Sequence, residues 1–126
     1  MSLTFDEAIE NHRQMWNWIA DETEKRKMAI HKQKYFKENE IDYIYCDCYC
    51  CQYAIDNSDV IIDSHICRNC EICPIDWGIE SENVNYAKCC DYNALYNIWR
   101  DYLFFNNWKS AAKCAKQIAN LPARKN

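Results

Sequence analysis

The apolar positions in the first third of the chain recur with a helical period. Phe5, Ile9, His12, Trp16, Ile19, Ala20, Thr23 and Ile30 fall on one face, while Glu10, Arg13, Gln14, Asn17, Asp21, Glu24 and Lys25 fall on the other. Thr4, followed by Glu7 three residues later, has the sequence of a capping box, in which hydroxyl and carboxylate satisfy the first amides of a helix. The pattern predicts a long helix over residues 4–36, with the polar run "ETEKRK" as the place for an interruption. Trp18 lies off the main stripe and predicts a second packing surface.

Helical periodicity returns near the end. Leu95, Ile98, Trp99, Tyr102 and Leu103 share a face, with Asp91 or Asn93 as candidate cap. "FNN" at 105–107 breaks that helix, and Asn107 can cap another. There Trp108, Ala111, Ala112, Ala115, Ile118 and Ala119 form a stripe of mostly small residues, opposite Lys109, Lys113 and Lys116. Pro122 stops the run, because proline lacks the amide a further turn needs. A stripe of alanines permits close helix approach and predicts packing on the N-terminal helix. The same stripe would suit a dimer, so the oligomeric state stays open.

Between these helical regions the character changes. "IDYIY" and "DVIID" are short, β-branched or aromatic segments that predict small strands, with "NSD" at 57–59 as a turn. Tyr43, Tyr45, Tyr49 and Tyr53 alternate as on a half-buried strand. The polar run at 79–85 predicts a surface loop. The expected architecture is a single domain over 1–126, mainly α with a small β zinc-ribbon-like module. It has an N-terminal helix at 4–36, a Cys-rich metal module at 41–90 and two C-terminal helices within 91–121.

Composition narrows the chemistry. The chain has 126 residues, ten cysteines, one glycine and two prolines. That content excludes Gly-rich phosphate loops. No apolar run approaches twenty residues, so no membrane span is expected. The N-terminus is acidic and amphipathic, unlike a secretory signal, which predicts a cytoplasmic protein whose thiols stay reduced. Net charge is −4, unevenly spread. Residues 46–91 carry 2 Lys/Arg against 9 Asp/Glu, whereas residues 92–126 carry 6 against 1. An acidic cysteine segment opposes phosphate binding through that segment.

Cysteine spacing is the strongest signal. Cys48 and Cys51 form one C-x2-C and Cys70 and Cys73 another, with 18 residues between them. This matches the pairing of four-thiolate zinc sites, in which two tight turns each aim two sulfurs at one ion. Structural zinc is the expected cofactor, held by Cys48, Cys51, Cys70 and Cys73. Cys46, Cys50, Cys67, Cys89 or Cys90 could replace a ligand or bind a second ion. Cys114, on the alanine-rich helix, reads as a small buried hydrophobe. The run Cys67, Cys70, Cys73 begins like a ferredoxin motif, but Trp77 stands where the fourth cysteine belongs and Pro74 follows the third. An iron–sulfur cluster is therefore the lesser alternative. His65 reads as structural or exposed rather than as a ligand.

The stretches "HRQMWNWIADETEKRK", "CYCCQYA", "CRNCEICPIDW" and "AAKCAKQIANLP" are spread over most of the chain. In them the chain resembles small cysteine-rich proteins of phages and prophages of Gram-positive bacteria. The resemblance implies a cytosolic, zinc-binding accessory protein and carries no established activity. The residues themselves offer no convergent acid–base set, and a closed four-cysteine shell leaves no open metal position for catalysis. Catalysis is accordingly not expected. A protein partner is, with the tyrosines and the basic C-terminal segment (Arg100, Lys109, Lys113, Lys116) keeping nucleic-acid binding as the alternative.

Overall fold

The computed structural model of the chain describes residues 4–41, 48–56, 73–77 and 95–123, with residues 51 and 54–56 described by backbone alone. These residues form five helices: α1 (Phe5–Arg26), α2 (Lys32–Glu38), α3 (Tyr49–Asp56), α4 (Leu95–Phe104) and α5 (Trp108–Ala119). The mainly helical expectation holds.

The capping box at the start of α1 forms as expected. Glu7 N–H donates to Thr4 Oγ1 at 3.1 Å, and Thr4 N–H donates to Glu7 Oε1 at 2.9 Å. The interruption expected in "ETEKRK" falls at the last residue of that run, so the 4–36 stretch is divided into α1 and α2. Lys27 adopts a left-handed φ of 55°, and the amides of Lys27 and Met28 both return to the Thr23 carbonyl. This is a Schellman-type stop. The chain turns, and Ile30 of the apolar stripe is buried from the link rather than from the helix. Arg26 then clamps the corner, donating to Glu22 within α1 and to both carboxylate oxygens of Glu38 at the end of α2. Trp18 packs edge-on against Tyr35 of α2, at 5.4 Å between ring centroids. That gives the off-stripe tryptophan its second surface.

The main core lies between α1, α4 and α5. Met15, Ile19, Ala111, Ala115 and Ile118 are completely buried there, and Trp16 meets Trp99 edge-to-face at 4.6 Å. Such aromatic pairs add about 0.5–1.5 kcal/mol beyond their area burial. The α1 and α5 faces make the most extensive contact in the fold, as the alanine stripe predicted. Asn107 caps α5 by accepting from the Ser110 amide at 3.3 Å.

One local reading is corrected. Tyr49 and Tyr53 lie one turn apart on α3, not alternating along a strand. Spacing of four is a helical neighbour relation, and the flanking Cys-Cys-Gln and Ala positions tolerate a helix. The expected strands at 41–45 and 59–63 fall almost wholly outside the described residues, as does the 79–85 loop; only Ile41 is described, and it is not in a strand. Among the described residues the β structure is one antiparallel bridge, Ile75 to Ala123.

Candidate metal centre

A second, smaller cluster packs against the N-terminal half of α1. Ile9 comes from α1, Cys50 from α3, and Cys73 and Ile75 from the segment 73–77, with Cys48 and Trp77 against them. Two features fix these pieces. Cys48 directly precedes α3, and its carbonyl accepts from the Gln52 amide at 3.0 Å, closing the first turn of the helix. The segment 73–77 is anchored to the chain beyond α5, where Asp76 N–H donates to the Pro122 carbonyl at 2.9 Å. Ile75 is completely buried beside that link.

Within the cluster three thiols adjoin. Cys50 hydrogen-bonds with both Cys48 and Cys73, and this together with burial raises the Cys50 thiol well above its usual range. Cys73 shifts the other way. The Cys50 S–H is the main cause, with smaller pulls from the Ile75 backbone N–H and the Trp77 side chain, so its thiolate is favoured despite burial. The buried Trp77 Nε1 lies too far from that sulfur for a full hydrogen bond. A backbone amide two residues beyond a cysteine, donating to its sulfur, supplies the outer contact that orients a metal-bound thiolate.

The placement of the expected ligands is therefore uneven. Cys48 and Cys73 are brought together from opposite sides of an intervening 57–72 segment. The Cys51 side chain and all of Cys70 lie outside the described residues, as do Cys46, Cys67, Cys89, Cys90 and His65. Cys50, read from spacing as a neighbour or substitute, is the central thiol of the three. Among the described residues no three ligating side chains are so disposed that they could hold a metal ion unaided. The donor chemistry nevertheless fits a soft ion such as zinc, given further sulfur ligands. Cys114 is separate, buried on α5 with its Sγ 3.3 Å from the Leu95 carbonyl, as a small core residue would be.

His12 was legible as a core position, but not for its environment. It is 1% exposed, and its Nε2 lies 3.4 Å from the Ile118 carbonyl while Nδ1 has no partner. A carbonyl only accepts, so Nε2 carries the proton and Nδ1 a bare lone pair. The ring stands edge-on to Trp77 at 6.0 Å and joins the thiol cluster to the main core. Burial depresses the imidazole to about 4, outweighing the opposite pull of the Cys48 side chain.

These features define a mainly helical domain with a buried cluster of thiols on one flank. Compared with family models, curated proteins and solved structures, the chain matches none.

Proposed function

We propose that the chain is a zinc-stabilised, non-catalytic binding protein that acts through protein–protein contacts, and that it is phage or prophage encoded and cytoplasmic. The observation that carries the metal reading is the convergence of half-buried Cys48 with buried Cys50 and Cys73, from two separate segments, into one cluster. Three thiols gathered from two segments form a soft-donor set of the kind that zinc takes. Cys48 and Cys73 would hold the ion together with Cys51 and Cys70, with Cys50 beside them as a neighbour or a substitute ligand. Zinc bound in this way contributes folding energy and ties α3 and the 73–77 segment to α1.

The binding reading is supported by surface aromatics. Phe104 is 83% exposed and Phe105 74%, beside each other at the end of α4. Nucleic acid is the weaker occupant. The lysines of α5 face a groove that also holds Asp21 and Glu24, and Lys116 lies 3.8 Å from Asp21. Among the described residues, no helix is long and apolar enough to cross a membrane.

Elemental analysis with an absorption spectrum on anaerobically purified protein tests the metal. One zinc per chain and no visible absorbance is the expected result. A brown protein with iron and acid-labile sulfide would replace zinc with the iron–sulfur alternative, and metal-free protein would sink both.

A further inference from the structure

Between α2 and α4 runs an open groove of about 510 Å³. His31, Lys32, Tyr96, Arg100, Leu103 and Phe104 are among the residues that line it, and among the described residues no carboxylate does. The Lys32 ammonium sits 4.6 Å from the centre of the Tyr96 ring, and the Arg100 guanidinium 6.0 Å from the same ring. Arg100 is exposed and forms no ion pair with any carboxylate of the described residues. At the rim, Phe104 meets Phe105 edge-to-face at 5.1 Å, and both rings are open to solvent. Adjacent aromatics left exposed beside an exposed guanidinium are the composition of an interface anchor.

We propose that this groove docks a short segment of a partner protein in which an aromatic or large aliphatic side chain stands beside a carboxylate. The proposal rests on the binding-protein reading above and names the partner's chemistry. The apolar side chain seats on Leu103 and Phe104. The carboxylate meets Arg100, whose planar fork matches two oxygens at once. Tyr96 holds the cations in place rather than touching the partner face-on. One of its faces is taken by Lys32, and its ring stacks with Trp99 at 5.8 Å and 27°.

That same arrangement disfavours a nucleic-acid strand. Binding successive bases takes aromatic faces on which they can stack. Tyr96 is covered, and the Phe104–Phe105 pair is crossed at 84° rather than parallel. The net charge of −4 also opposes a long phosphate backbone, but not one short acidic segment on a local cationic groove.

The test is a display selection with short random peptides on the purified, metal-loaded full chain, with R100E and F104S as counter-selection targets. Both positions are exposed, and unchanged melting temperatures will show that the variants fold. Enriched peptides should pair Asp or Glu with an apolar anchor. A labelled synthetic copy should bind about tenfold or more weakly to each variant, and more weakly as salt is added. Enrichment without an acidic–apolar pattern, binding indifferent to both substitutions, or no enrichment would overturn the proposal. So would a labelled oligothymidylate whose binding is lost in the same variants. Metal-loaded protein that selects no peptide removes only this groove, whereas metal-free protein removes the zinc reading instead.

Discussion

His12 is the residue at which burial and chemistry conflict most. Its ring lies between Trp16 and Trp77, with one nitrogen satisfied by Ile118 and the other bare. The folded protein keeps it neutral down to about pH 4, whereas the unfolded chain takes up a proton near the ordinary value of 6.5. The folded pKa is thus depressed, and between those limits the unfolded state binds more protons. Stability is full above pH 6.5, falls as pH drops, and stops falling from this source below about 4. The loss is on the order of 3 kcal/mol across the window. Urea midpoints measured from pH 7 to pH 4 should fall less steeply in H12Q than in the natural chain. Parallel slopes would show that another group sets the acid sensitivity. The periodic pattern placed His12 on the buried face, but a period carries no information about which ring atom finds a partner. The thiols teach a similar lesson. Regular C-x2-C spacing singled out Cys48 and Cys73, whereas Cys50 comes to the centre on the first turn of α3.

At the scale of elements, sequence signals were sharpest where a backbone amide needs a specific side chain. Thr4, Asn107 and the alanine stripe of α5 all acted as their chemistry predicts. The stop after Arg26 lies in the polar run expected to interrupt the helix, but its exact residue was harder to read, because a lysine fills the left-handed position that usually attracts glycine. A side chain there is strained by about 1 kcal/mol or more, partly offset by the extra freedom glycine gives the unfolded chain. K27G should therefore raise stability by up to about 1 kcal/mol, seen as a higher denaturant midpoint with an unchanged slope. No gain would mean that the Arg26 clamp on Glu38, rather than the turn, fixes the corner. The α1–α5 contact should respond in the opposite direction. Ala115 is completely buried between these helices, so A115L forces them apart and should cost about 1–3 kcal/mol. The misread stretch was α3. Tyrosines at every second or fourth residue are compatible with a strand or a helix, and eight residues are too few for periodicity to decide.

Among the described residues the buried apolar side chains gather in two clusters that meet at α1 and Trp77. The larger, α1 with α4 and α5, is closed by tryptophans, alanines and isoleucines and needs no metal to bury its apolar surface. The smaller holds Cys50 of α3 and the 73–77 segment through a handful of residues, three of them thiols, while Tyr49 ties the start of α3 to the larger cluster as well. Removing the metal should therefore not unfold the chain outright. Chelated protein should retain most of its helical circular dichroism, while amide exchange rises in α3 and in 73–77 and stays low in α1 and α5. C73S should reproduce that pattern, and C114S, whose sulfur lies in the larger cluster, should leave metal content unchanged. Loss of all helical signal on chelation would mean that the metal organises the domain rather than one flank of it. Exchange unaltered everywhere would mean that the thiols pack as ordinary core residues. The distinction has a consequence for binding, because α2 and α4 frame the groove beside Phe104 from the larger cluster. A partner peptide should still bind chelated protein, and with nearly the same dependence on Arg100. If chelation abolishes binding while α4 stays protected from exchange, the recognition surface extends onto the metal-bound flank.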